Sequence, residues 1–287
     1  MSEKQIDELS GVDTTGHEWD GIKELNNPLP RWWVWTFYAT IVWALAYTIF
    51  YPAWPLVSSA TTGVLGYSSR NDVKAELAAA EVAKGDYAAA IAAKPVDEIL
   101  ADEKLRTFAI AAGAAAFKVN CVQCHGSGAA GSPGYPNLND DEWLWGGKPE
   151  DILTTISHGI RFASDDATRF SEMPAFADML DKDQIAQAAA YVVSLSGTPV
   201  NPSLVEAGQA VFAENCAACH GDDGKGLRDF GAPDLTDAIW LRGSGEAAIM
   251  AQITAPKHGI MPAWAGRLGE ATVKELTVYV HSLGGGE

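Results

Sequence analysis

Basic side chains are scarce in this chain. Twenty Lys and Arg stand against 37 Asp and Glu, for a net charge of −17. That balance argues against nucleic acid as a partner, because its phosphates are held chiefly by Lys and Arg. It fits either a merely solvated surface or one that steers a basic partner. Strand-like patterning is also lacking. No stretch of useful length alternates apolar and polar residues, so the expected fold class is all-α. Cysteine is limited to four residues and methionine to five. Only one hydrophobic run is long. Trp32 to Tyr51 is twenty residues without a charge, enough for a helix to cross a hydrocarbon layer of about 30 Å. Trp32, Trp33 and Trp35 flank one end and Tyr51 and Trp54 the other, as an aromatic belt would. Pro52 and Pro55 end the run. A cleaved signal peptide fits poorly, since the run is too long and the leader before it is long and acidic.

All four cysteines fall into two short motifs, Cys121-Val122-Gln123-Cys124-His125 and Cys216-Ala217-Ala218-Cys219-His220. Each reads C-x-x-C-H, the attachment sequence of c-type haem. Two sulfurs can add to the two vinyl groups of one haem, and the adjacent histidine then lies under the iron as an axial ligand. Zinc fits less well. The two pairs lie much farther apart than in a zinc ribbon, and zinc does not explain a histidine after each pair. A thioredoxin-like dithiol needs a strand before the pair, and a helix is expected there. A disulfide across a two-residue gap makes a strained ring.

The motifs anchor an internal repeat. Gly113, Phe117 and Asn120 precede the first as Gly208, Phe212 and Asn215 precede the second. Pro136-Asn137-Leu138 and Trp143 recur as Pro233-Asp234-Leu235 and Trp240. His158-Gly159-Ile160 recurs as His258-Gly259-Ile260, and Met173-Pro174-Ala175-Phe176 as Met261-Pro262-Ala263-Trp264. Five segments are therefore expected: an N-terminal tail 1–31, a transmembrane helix 32–54, a linker and helical arm 55–103, and two units, 104–198 and 202–287. The arm should be helical over 71–93. Each unit should hold three helices, at 104–120, 149–158 and 181–195 and at 203–215, 245–254 and 270–283. Asp181 with Gln184 reads as a capping box. Units this small cannot bury a large core alone, and a haem at the centre would supply apolar surface.

An electron-carrying haem needs a sixth ligand, and thioether sulfur opposite histidine raises its potential. Met173 and Met261 sit in loops before proline at matching repeat positions, and proline restricts the residue before it. They are the expected axial partners of His125 and His220. Spacing favours each Met serving the haem of its own repeat; an exchange of Met loops between the units is the alternative. Met179 and Met250 read as core. His158 and His258 are rival ligands, more simply read as binding a carbonyl or propionate. Trp143 and Trp240 could donate their indole N–H to a propionate. Pro136 and Pro233 could place a carbonyl on the motif histidine. Ordinary packing is the alternative for all four.

These repeats resemble tandem class I cytochrome c domains. The stretch from His17 to Trp33, HEWDGIKELNNPLPRWW, followed by a single anchor, narrows the resemblance. The whole chain is similar to the di-haem subunit of cbb3-type cytochrome c oxidase, the CcoP or FixP family. That resemblance implies two covalently bound haem c groups, attached at Cys121, Cys124, Cys216 and Cys219, with His125, Met173, His220 and Met261 as axial ligands. It implies a non-catalytic electron-transfer subunit of the bacterial inner membrane, its N-terminus cytoplasmic and its haem domains periplasmic. The electron source would be soluble cytochrome c or the cytochrome bc1 complex. The acceptors would be a mono-haem subunit and the oxygen-reducing haem–copper subunit, in respiration that builds a proton-motive force. The alternatives are an anchored di-haem donor to another redox complex and a di-haem peroxidase.

Overall fold

The computed structural model describes residues 5–287, so residues 1–4 of the expected tail lie outside it. It divides into a first body through Glu81 and a second, Val82–Glu287. The first body opens on a hairpin, not on an unstructured tail. Strands β1 (Thr14–Trp19) and β2 (Ile22–Leu25) pair antiparallel, with Trp19 opposite Ile22. Asp20 and Gly21 turn the corner at φ 51° and 84°, as a two-residue turn between twisted strands requires. The Asp-Gly pair was the available signal. Apolar alternation was absent because the hairpin buries little, Thr14 being its one buried residue. Helix α1 follows at Arg31–Phe50, a single long apolar helix with no buried residue in this chain. Tyr51 is extended, as a residue before proline prefers. The backbone N–H groups of Tyr51, Val64 and Leu65 donate to the carbonyls of Tyr47, Ile49 and Phe50. The last turn of α1 is thus capped by a loop that folds back on it.

Helix α2 spans Ser69–Ala93, and Pro95 starts the short α3, Val96–Ala101. Ile91, Val96 and Ile99 are buried with Leu105, Ala109 and Val278. Burying three such side chains is worth about 1.5–3 kcal/mol each. Lys274 Nζ donates to the carbonyls of Ala92 and Lys94 at 2.6 and 2.8 Å, a cation at a helix C-terminus. The end of the arm is therefore part of the second body.

Helices α4 (Glu103–Asn120), α6 (Pro149–His158), α7 (Lys182–Ser196), α8 (Val205–Asn215), α10 (Glu246–Thr254) and α11 (Ala265–His281) build the rest. One-turn helices α5 (Val122–His125) and α9 (Ala217–His220) carry the motifs. Asp181 caps α7 with the full capping box to Gln184. Helix α11 breaks at Gly269, φ 79°, so its regular part starts where the repeat predicts.

The helices do not pack as two contiguous units 104–198 and 202–287. α4 of the first repeat packs on α11 of the second, and α8 of the second on α7 of the first. The two crossings are equivalent. A Cβ on Gly113 would overlap the Glu275 carbonyl of α11, and one on Gly208 the Gln187 carbonyl of α7. Phe117 meets Tyr279 at 5.4 Å between ring centroids and Phe212 meets Tyr191 at 5.2 Å, both tilted. Two cores result. One joins Phe117, Ile152 and Ile156 to Val273, Leu276 and Val280; the other joins Val211, Phe212, Ile249 and Ile253 to Phe176, Ile185 and Val192. Each half-molecule takes its first two helices from one repeat and its last from the other.

Candidate haem centres

Both motifs sit at the same point of the same local structure. α4 and α8 end as Asn120 and Asn215 turn their side-chain amides back onto the carbonyls of Ala116 and Val211, each at 2.9 Å. Cys121 and Cys216 then close the helix ends, and a single further turn presents the second cysteine and the histidine. Gly126 and Gly221 follow at φ 78° and 77°, where a side chain would be strained. The loop brings Pro136 O to within 3.1 Å of His125 Nδ1, and Pro233 O to within 3.2 Å of His220 Nδ1. A carbonyl only accepts, so Nδ1 carries the proton and Nε2 keeps a free lone pair. Burial holds both imidazoles below their ordinary pKa, against the pull of that hydrogen bond. Neutral imidazole is the form that ligates a metal. Burial, and then the neighbouring cysteine, pushes the thiols of Cys121 and Cys216 up to about 11. Neither is a thiolate near neutrality, which disfavours a dithiol redox pair.

The methionines divide crosswise between the two cores. Met261 packs against the core of Phe117, Ile152 and Ile156, as do Cys121 and Val122, and shares a cavity of about 100 Å³ with Cys121 and His125 in which Met173 has no part. Met173 packs against the other core, as do Cys216, Ala217 and Trp240. The pairing that spacing favours, each Met with its own repeat, is not the one the packing produces. The cause lies at the end of α6. Met261 and Ile160 exchange backbone hydrogen bonds at 3.0 and 2.9 Å, and Trp264 N donates to the carbonyls of Ile156 and Ser157. The Met261 loop thus satisfies the last carbonyls of a helix from the first repeat. The chain passes so close at Gly159 (φ 68°) that a Cβ there would overlap the Met261 carbonyl. On the other side, the His258 Nε2 donates to the Met173 carbonyl at 3.2 Å. Phe176, three residues past Met173, is buried with Ile249 and Ile253 of α10.

A larger cavity, about 400 Å³, runs without interruption from Cys121, Cys124 and His125 to Cys216, Cys219 and His220. Its walls are mostly apolar and it includes both methionines and both Asn caps. A pinned neutral imidazole, a thioether on the facing loop, a cysteine pair at the edge and a wide apolar slot are the donor set and shape that haem c requires, and the residues fit it twice.

The comparisons with known proteins agree. The family model for "Cytochrome C oxidase, cbb3-type, subunit III" matches residues 108–192 and again 203–280. The model for the N-terminal domain of cytochrome oxidase-cbb3, FixP, matches residues 11–58. The chain belongs to the subunit III family of cbb3-type cytochrome c oxidase. It is 65% identical to the oxidase subunit FixPc of Rhizobium leguminosarum bv. viciae over the whole of both chains. It is 63% identical to FixP of Sinorhizobium medicae, over 99% of this chain and 98% of that one. It is 54% identical to CcoP of Cereibacter sphaeroides, over 96% and 95%. The chain is a cytochrome c subunit for electron transfer within that oxidase, not itself its catalytic subunit.

Several finer expectations about the subunit change. The Trp143 indole N–H donates to the Gly285 carbonyl of the C-terminal tail, so it is not free for a propionate. Met179 is exposed, not core, because it sits in the turn after the 3-10 segment Phe176–Asp178. Met250 packs on the second core as expected. His158 lines neither cavity, and its Nδ1 lies 3.2 Å from the Asp165 carboxylate; His258 lines the larger cavity and gives its Nε2 to the Met173 carbonyl.

Glu142 is a group that sequence reasoning missed. It accepts from Asp234 N at 3.1 Å, linking the turn after one motif to the turn after the other. Burial, together with the nearby Asp237 and Asp234 charges, pushes its carboxyl from 4.5 to about 7. The folded state then binds a proton that the unfolded state has already lost between these values. Stability conferred below about pH 4.5 is therefore lost as pH rises to about 7, and is flat above. Glu142→Gln should remove that slope and gain about 1 kcal/mol at pH 8, a figure discounted for partial exposure. Thermal unfolding at pH 5 and pH 8 checks this; an unchanged pH dependence would overturn the assignment.

Proposed function

We propose that this subunit is anchored by α1 in the bacterial inner membrane, with its N-terminus cytoplasmic and its second body periplasmic. There it holds two covalently bound haem c groups and relays electrons between a donor and the oxidase core. The observation that carries the reading is the doubled site: two motif turns, two pinned histidines and two facing methionines around one continuous cavity. Cys121 and Cys124 would hold one haem, with His125 and Met261 as its axial pair. Cys216 and Cys219 would hold the other, with His220 and Met173. Haem c supplies one-electron redox chemistry at its iron. The chain's own residues set how readily that happens. Pro136 and Pro233 fix the histidine rings. Met173 and Met261 would supply the thioether ligands, which would favour electron transfer over gas binding and raise the potential. Phe117, Phe212 and the aliphatic cores keep water away. The electron source would be soluble cytochrome c or the cytochrome bc1 complex, and the subunit would deliver to a mono-haem subunit and then to the haem–copper subunit.

The test is purification of the tagged chain from gently solubilised native membranes. Co-purification of a mono-haem cytochrome and a haem–copper subunit, with cyanide-sensitive oxygen uptake from reduced cytochrome c, is expected. A di-haem protein bound instead to a dehydrogenase would overturn the partner assignment.

A further inference from the structure

The wall of the large cavity carries two arginines in a chain of net charge −17. Arg161 and Arg242 come from opposite repeats and meet there. Arg161 Nε donates to the Gly259 carbonyl at 2.7 Å, and its Nη1 to the Ser171 carbonyl at 2.8 Å. Its backbone has φ 52°, a left-handed conformation uncommon outside glycine and costly for a long side chain. Arg242 lies against Gly134 and Gly259, whose added Cβ atoms would be 3.3 and 3.6 Å from its Nη1 and Nη2. The loops themselves join here, Gly134 N donating to the Leu241 carbonyl. Among the described residues Arg242 has no hydrogen bond and no ion pair, although it is half-buried. The two guanidiniums also act on one another: burial lowers the Arg161 pKa, the charge of Glu172 pulls it back up, and the charge of Arg242 adds a smaller downward push. Holding two like charges side by side costs free energy unless an anion lies between them. Glu172 forms no ion pair with Arg161, and Asp234 on the same wall is already bonded to Thr236.

We propose that Arg161 and Arg242 bind haem propionates at the junction of the two half-molecules, supplying cationic groups to the cavity wall. This rests on the haem reading above. The chemistry matches. The cysteines fix the vinyl edge of the ring, and the propionates are carboxylates on the edge away from it. Guanidinium is the side chain suited to holding carboxylate in two-pronged hydrogen bonds. The pairing neutralises charge that would otherwise favour ferric iron.

The experiment uses the full-length protein in detergent with both haems attached. Arg242→Gln is the cleanest variant, because among the described residues no hydrogen bond depends on that guanidinium. Spectroscopic redox titration should show the reduced-to-oxidised ratio of at least one haem falling about tenfold at a fixed potential, or about 59 mV for one electron. Arg242→Lys should recover most of the shift, whereas a packing role would leave both variants alike. Adding Arg161→Gln should enlarge it. Full haem content with unmoved potentials in Arg242→Gln would overturn the propionate site alone. Absence of haem from the denatured wild-type chain would overturn the haem reading itself.

Discussion

Replacing Met261 with His is expected to lower the reduction potential of the haem attached at Cys121 and Cys124, and to leave the haem at Cys216 and Cys219 near its own value. The shift should be on the order of a few tenths of a volt, within the range of about 0.8 V that axial ligands command. The assignment follows from where the Met261 loop is held. Its backbone pairs with Ile160, Met261 packs against the core that holds Phe117 and that Cys121 also packs on, and Trp264 caps α6. A histidine there would meet the iron from the same loop but as a stronger donor than thioether sulfur. Two backgrounds separate the haems. With Cys216 and Cys219 both changed to Ala, only the first haem remains, and Met261→His should keep its full effect. With Cys121 and Cys124 changed instead, the same substitution should have almost none. The reverse pattern would show that each Met serves its own repeat, and the crosswise ligation would be abandoned.

The sequence made much of this site legible, because attachment chemistry fixes residue types at short range. The C-x-x-C-H turns, the Pro carbonyls and the Met-Pro loops are local signals, and all recur in the repeat. The exchange of helices was hidden because it is not local. Two repeats with equivalent α4 and α8 offer equivalent surfaces, so the same side chains are satisfied whether α7 or α11 packs on them. Only the backbone between decides. Residues 161–172 lengthen the path from Ile160 to Met173, whereas Ile260 runs straight into Met261. That extra segment was visible as a mismatch in the repeat, but its consequence, an antiparallel pairing of Ile160 with Met261, depends on tertiary contacts. The partner of Trp143 was hidden for a related reason. Nothing near it in sequence announces that the C-terminal glycines fold back to take its N–H. The hairpin at 14–25 was missed because pattern reading relies on burial, and this element buries almost nothing.

Gly113→Ala and Gly208→Ala should each destabilise one half-molecule, and the contrast with a third glycine makes the effect specific. At Gly113 the added methyl would meet the Glu275 carbonyl and, at 2.7 Å, the Tyr279 Cβ; at Gly208 it would meet the Gln187 carbonyl and, at 2.9 Å, the Tyr191 Cβ. Both obstacles are backbone of a packed helix, which cannot swing aside as a side-chain tip can. Overpacking of this kind costs roughly 1–3 kcal/mol, and an unyielding carbonyl places it toward the upper end. The better helix propensity of alanine returns about 1 kcal/mol, leaving a net loss near 2 kcal/mol. For a body of this size that is a fall of about 4–8 °C in Tm. Gly85 in α2 has nothing within 4 Å of its added Cβ, so Gly85→Ala should instead be neutral or stabilising by up to about 1 kcal/mol. Because α4 is closed by α11, Gly113→Ala should first loosen the methionine–iron bond of the haem at Cys121 and Cys124. Gly208→Ala should loosen the other. Thermal melts followed at the methionine–iron charge-transfer band of each single-haem background would read this directly. If both substitutions behaved like Gly85→Ala, the two helix crossings would not be as close as the exchanged packing requires. If Gly113→Ala disturbed only the second haem, α4 and α11 would not belong to the same half.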